Sequence, residues 1–172
     1  MTETLTESAI ERITAVNGRS CGECSLCCKL LDVPEVKKMP SEWCPHCRPG
    51  HGCQIYDRRP LPCRSYACLW LVNASLPDRW KPSRSHMVLD FHMMRATDQA
   101  TLRVHVAREF ADCWRREPYR SDLHKLAARG ITTGRYRTVI IIDGKWTWLV
   151  LSEKEIAFDG KNPRAEIQPR GA

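Results

Sequence analysis

A chain of 172 residues, 42% hydrophobic and 27% charged, is long enough to bury one apolar core and too mixed in composition for collagen, a coiled coil or wholesale disorder. No run approaches the roughly 20 apolar residues of a membrane-spanning helix. The polar segment 1–20, with Glu3, Glu7 and Glu11, lacks the basic start and apolar centre of an export signal, so the cytosol is the expected compartment and no membrane partner is expected. The formal charge of +7 treats every cysteine as a neutral thiol. Two divalent ions held by eight thiolates would remove roughly four units of it, so a nucleic-acid partner is not expected from charge alone.

In chain order, residues 5–16 carry Leu5, Ile10, Ile13 and Val16 on one side of a short helix that ends at Asn17-Gly18. The segment 21–73 follows, holding nine of the ten cysteines between Cys21 and Cys68. Within it, Ser25 to Leu31 is expected to be helical, stopped by Pro34. From Pro40 to Pro62 proline, glycine and histidine abound without periodicity, which predicts a loop shaped by whatever its side chains bind. Leu61 to Val72 reads as one helix. Region 85–158 differs in kind. Met87, Leu89, Phe91 and Met93 alternate with less apolar residues, as do Leu102, Val104 and Val106, giving two strands joined through Arg95 to Ala100. Pro118 opens a helix ending at Gly130, with Tyr119, Leu123, Leu126 and Ala127 as its stripe. Two further strands, Thr138 to Ile142 and Trp146 to Leu151, flank the turn signal Asp143-Gly144. The expected fold is α+β: an irregular cysteine-rich region with short helices, then an antiparallel sheet of about four strands with one packed helix, the two halves in one domain. The tail 159–172 is rich in proline, glycine and charge and is expected to be mobile.

The chemistry sits in the cysteines. In a reducing compartment such density argues for metal rather than disulfides. Cys24, Cys27, Cys44 and Cys47 make C-x2-C-x16-C-x2-C, a four-thiolate zinc spacing. Cys21, Cys24 and Cys27 make C-x2-C-x2-C with a remote fourth cysteine available, the spacing by which ferredoxin-like chains hold a 4Fe-4S iron-sulfur cluster. The triple is richer than zinc requires. Cys27 and Cys28, as helical neighbours, point about 100° apart, so a second site or a packing role follows for Cys28. In a continuous helix Cys63 and Cys68 lie about 140° apart, which favours Cys63 as the ligand over Cys68. Cys21, Cys24, Cys27, Cys53 and Cys63 lead the expected ligands, with Cys28, Cys44 and Cys47 next.

The stretch resembles the YkgJ-type cysteine-cluster family, described as a zinc- or iron-chelating domain and marked by C-x-x-C-x-x-C-C, here Cys21, Cys24, Cys27 and Cys28. The second part of that pattern stands as Cys53, Ile55, Tyr56, Arg59, Pro60, Cys63 and Arg64. About fifty residues are covered. The resemblance implies thiolate metal binding in a bacterial cytosol, and relatives of the motif occur in a flagellin lysine methylase. The Cys44–Cys47 pair rests on spacing alone. Taken together, these readings lead to a metal-binding, redox-linked or accessory module serving a protein partner. The alternatives are a zinc-ribbon-like module binding nucleic acid or protein, and an accessory to a methyltransferase-type activity.

Around the cysteines, Arg59 and Arg64 are candidates for hydrogen bonds to cluster sulfurs, and Tyr56, Tyr66, Trp43 and Trp70 for apolar shielding of the site. His46 and His51 are expected to support the site or face water rather than ligate. His86, His92 and His105 read as ordinary sheet histidines, and Cys113 as a small buried hydrophobe. Nothing in the chain matches a glycine-rich phosphate loop or a histidine–glutamate metal-hydrolase motif.

Overall fold

Strands form where apolar residues alternate, and their register decides which side chains reach the cysteines. The computed structural model describes residues 18–93 and 100–158; the helix expected over 5–16, the 95–99 connection and the tail 159–172 lie outside them. Strands β3 (Met87–Met93), β4 (Ala100–Val106), β5 (Tyr136–Ile142), β6 (Lys145–Val150) and β7 (Glu155–Ala157) build a five-stranded sheet in that order. The α+β class is as expected, but the sheet is mixed rather than antiparallel and has a fifth strand. Between β4 and β5 the chain runs through two short 3-10 turns and helix α5 (Tyr119–Thr133) before returning. So long a crossover brings the chain back to its starting end, and β4 and β5 pair in parallel. The Asp143-Gly144 turn forms the antiparallel β5–β6 hairpin as expected.

Alternation then divides the sheet into two faces. On one, Met87, Leu89, Leu102, Val104, Val106 and Ile140 share a core with Leu123 and Ala127 of α5. The other carries Val88, packed with Leu30 and Ala107, and farther along Val139, Ile141 and Leu149. Helix α5 outruns its expected end at Gly130 and stops at Gly134, which takes the left-handed conformation at φ 65°. Gly130 has a different task. A Cβ there would lie 2.4 Å from the Tyr136 carbonyl oxygen and 2.6 Å from its ring, so the missing side chain lets α5 close on β5.

The cysteine-rich region supplies only short elements: α1 (Cys27–Leu30), the two-residue ribbon strands β1 (Cys47–Arg48) and β2 (Gly52–Cys53), α2 (Leu61–Arg64), α3 (Leu69–Val72) and α4 (Pro82–Ser85). The single helix expected over Leu61–Val72 is broken. Ser65 Oγ donates back to the Leu61 carbonyl at 2.9 Å, Tyr66 reaches across to Asp90 on β3, and Cys68 is extended at φ −68°, ψ 154°. Leu69, Trp70, Leu71, Leu76 and Trp80 then enter the same core as the sheet and α5. The loop is fastened at a second point, where Pro40 packs on Gly144 of the hairpin turn at a spacing that would put a Cβ 2.8 Å from the proline ring.

Candidate metal centre

Local turns bring the thiols together before any long-range packing is needed. The Cys24 N–H donates to the Cys21 carbonyl at 2.8 Å, closing a turn with Gly22 at φ 51°. Helix α1 presents Cys27 and Cys28, held to the sheet by Leu30, which is 3% exposed and packs on Val88 and Ala107. The Cys44 N–H donates to the Cys28 carbonyl at 3.0 Å and the Cys47 N–H to the Cys44 carbonyl at 2.9 Å. Cys47 is then paired directly with Cys53 across the β1–β2 ribbon.

These segments enclose a cavity of about 260 Å³ whose walls include Cys21, Cys24, Cys27, Cys28, Cys44, Cys53, Cys63 and Cys68. Of the expected ligands only Cys47 is not in the wall, and its thiol donates to Cys28. All ten cysteines are free thiols. Cys113 lies elsewhere, buried in the core beside Trp114, in keeping with its expected packing role. Cys68, ranked below Cys63 on the premise of a continuous helix, faces the same cavity because the helix breaks before it.

The thiols perturb one another strongly. Cys28 accepts hydrogen bonds from Cys27 and Cys47 and lies near Lys38 and Arg59, which together pull it down to about 6 against the opposing effect of burial. Its donors move the other way: Cys27 rises because it donates a hydrogen bond to Cys28 and is buried, and burial with the nearby Cys28 pushes Cys47 up to about 12. Burial also raises Cys21 and Cys63, and takes Cys68 up to about 11. Among the described residues no three Cys, His, Asp or Glu side chains close on one point as the ligands of a single ion do; the sulfurs are spread around the cavity wall.

Two cations stand beside the sulfurs. Arg59 lies over the Tyr56 ring at 3.6 Å, donates to the Tyr56 carbonyl at 2.8 Å, and is within electrostatic reach of Cys21, Cys28 and Cys63. Arg59 and Tyr56 both line the cavity, whereas Arg64 on α2 is not in its wall. Lys38 is a residue that sequence reasoning missed. It is 2% exposed, and its ammonium donates to the Lys29 carbonyl at 2.6 Å and to the Leu31 carbonyl, taking up acceptors at the end of α1 near Cys28 and Cys44. Its only sequence signal is a lysine in a loop. Of the aromatics, Tyr66 and Trp70 line the cavity, while Trp43 is 41% exposed. His46 is in the wall, and His51 is exposed with Nδ1 3.2 Å from the Pro49 carbonyl.

The sheet gives the cavity a polar wall through Arg103 and His105 of β4, both held by Asp90 of β3, which is not itself in the wall. Asp90, 5% exposed, accepts from Arg103 Nε at 2.6 Å and from the Tyr66 hydroxyl at 3.1 Å, with His105 Nε2 at 3.4 Å. Burial alone would raise this carboxyl, but His105 and Arg103 outweigh it and hold Asp90 below the usual carboxylate range. Arg103, His105 and Tyr66 all face the cavity. His105 is therefore part of a buried network rather than an isolated strand histidine; only the β3–β4 register, which sets Asp90 opposite Arg103, brings these groups together.

Thiols are the soft ligands that select zinc and iron–sulfur clusters over hard cations, and this wall carries eight of them with cations alongside to offset thiolate charge. The donor chemistry therefore fits either group. No family model, curated protein or solved structure matches the chain. No described helix is long and apolar enough to cross a membrane.

Proposed function

We propose that this protein is a cytosolic metal-binding module that carries an iron-sulfur cluster on its clustered thiolates, in a redox-linked or accessory role and in the manner of the YkgJ-type family it resembles. The observation that carries the reading is the convergence of eight cysteines, from five separate stretches of chain, on one cavity. Disulfides would have paired these residues off, whereas all remain free. A cluster is favoured over a lone zinc ion by the spread of the donors. Zinc draws four sulfurs to about 2.3 Å from one centre, while a four-iron cluster binds each thiolate at a different iron and suits sulfurs arranged around a wall. Bound, such a group would supply one-electron chemistry. Arg59 and Lys38 would offset its negative charge, and Tyr66, Trp70 and Leu71 would keep its surroundings apolar.

Anaerobic purification without a metal-affinity tag, followed by iron, zinc and acid-labile sulfide analysis and a visible spectrum, tests the reading. A brown protein with matched iron and sulfide is the expected result. Stoichiometric zinc in a colourless protein would replace the cluster by zinc. Metal far below one equivalent, with all thiols titratable, would end the metal-binding proposal altogether.

A further inference from the structure

A second cavity, of about 280 Å³, adjoins the thiol cavity and shares Tyr66, Ala67 and Arg103 with it. It lies beside β3, an edge strand of the sheet, where the break between α2 and α3 leaves room. Ala67, Leu69 and Val72 wall it on the helical side and Phe91 on the strand. The Phe91 ring is exposed, touching Tyr136 edge-on at a centroid distance of 5.1 Å. The polar part of the pocket comes from Asp90 and Arg103, which face one another in the β3–β4 register. Arg103 donates through Nε to Asp90 Oδ1 at 2.6 Å, and this bond fixes the plane of its guanidinium. Its two terminal nitrogens have no partner among the described residues, and the side chain is partly exposed. Asp90 is committed by contrast: Oδ1 takes Arg103 and Oδ2 takes the Tyr66 hydroxyl.

Independently of what the thiols bind, we propose that this second pocket binds a small organic monocarboxylate, with its carboxylate on the terminal nitrogens of Arg103 and its apolar body against Leu69, Val72 and Phe91. A guanidinium pinned through Nε presents a flat pair of N–H donors whose spacing matches the two oxygens of a carboxylate. Asp90 sets the charge of the ligand. Its own carboxylate lies in the same pocket, and repulsion from it grows with the charge of an incoming anion, so a monoanion is favoured over phosphate. The apolar walls set the rest, since an ion without a body leaves Leu69, Val72 and Phe91 uncovered. At about 280 Å³ the space falls just below the roughly 300–1,000 Å³ usual for ligand pockets, which suits a short branched acid or one carrying a single ring and excludes a nucleotide. Because Arg103 and Tyr66 line both cavities, the bound acid is separated from the thiol cavity by a single layer of side chains.

The test titrates benzoate and isovalerate into the full-length protein as purified, methyl-labelled for nuclear magnetic resonance. Benzyl alcohol supplies a body without charge and inorganic phosphate a charge without body. Saturable binding at millimolar concentration or below is expected for at least one acid, with shifts centred on Ala67, Leu69 and Val72. Both controls should bind more weakly by about tenfold or more, the worth of a charge-assisted hydrogen-bonded pair. Arg103→Lys keeps a cation beside Asp90 but loses the planar fork, and should weaken the acids by about tenfold; Phe91→Ala, at an exposed ring, should weaken them by a smaller factor. Absence of saturable shifts with both acids overturns the proposal. So does either control binding as tightly as the acids, unchanged affinity in Arg103→Lys, or shifts centred instead on Leu31, Val33 and Val36 of the thiol cavity. The comparison of acids with controls on the wild type needs no variant to fold, and no arm depends on metal content, so failure here is distinct from failure of the metal-binding reading.

Discussion

Asp90→Asn is the most informative single change away from the thiols, because it removes the charge that holds the cavity-lining Arg103, His105 and Tyr66 and leaves the cavity wall itself unchanged. In the wild type the carboxylate is 5% exposed and accepts from Arg103 and Tyr66, with His105 beside it. Truncating one partner of a buried ion pair costs about 3–5 kcal/mol, since the other charge stays behind uncompensated. The Arg103 side chain is 27% exposed, so water recovers part of that loss, and the expected destabilisation is about 2–3 kcal/mol. Asp112→Asn is the control. Its pair with Arg115 is a surface one, with the aspartate side chain 77% exposed, and should be worth under about 1 kcal/mol. Urea unfolding followed by tryptophan fluorescence at matched metal content measures both. The sign with pH is fixed by the depressed Asp90 value: its stabilisation is fully present above the unfolded carboxyl value of about 3.9 and is lost as pH falls through the lower folded one. The gap between wild type and variant should therefore close in acid. A loss at neutral pH no larger than the control, or a gap that widens below about pH 4, would refute the account of this network.

Gly130→Ala tests how α5 is seated. In an ordinary helix interior the change stabilises by about 0.5–1 kcal/mol, but here the new Cβ would meet the Tyr136 carbonyl oxygen at 2.4 Å, and overpacking of this kind costs about 1–3 kcal/mol; a lowered melting temperature is expected, and a raised one would show that the helix does not pack so closely. On the metal-binding reading proposed above, removal of metal should open the chain unevenly. Hydrogen exchange on the apo protein is expected to lose protection across 21–64, where the elements are four residues or shorter, and to keep it in Leu69–Leu71, around Trp80 and through β3 to β6, which share one core. Protection retained across 44–63 without metal, or lost throughout the sheet, contradicts that division.

What could be read from the chain and what could not differ in sequence distance. The C-x2-C turns, the strand alternation and the Asp143-Gly144 hairpin depend on neighbours within a few residues, and each appears in the structure where the spacing puts it. Cys68 was harder, because its approach to the cavity depends on a helix that breaks when Tyr66 reaches Asp90, 24 residues away. The same holds for His105 and Arg103, whose place under the thiols follows from strand register, and for Lys38, whose carbonyl partners are fixed by where α1 ends. The parallel β4–β5 pairing escaped because the strand, strand, helix, strand, strand order is equally compatible with an antiparallel path until the crossover is seen to return. Gly130 was mistaken for a helix end for a related reason, since only Tyr136 reveals why a glycine belongs inside the helix.

The placement of Leu30 on Val88 and Ala107, and of Arg103 and His105 beneath the thiols, also bears on the order in which the protein comes into being. All nine cavity-region cysteines precede Leu69, whereas the strands beneath the thiols and the helix that backs them occupy residues 87–157. A ribosome adding roughly 5–20 residues per second therefore completes the last thiol about 5–20 s before it completes the sheet on which the thiols come to rest. For that interval the nascent chain carries nine reactive sulfurs with no wall behind them. On the metal-binding reading proposed above, the supply of iron or zinc near the ribosome, like the reducing power around it, would act on this protein before its fold can protect it.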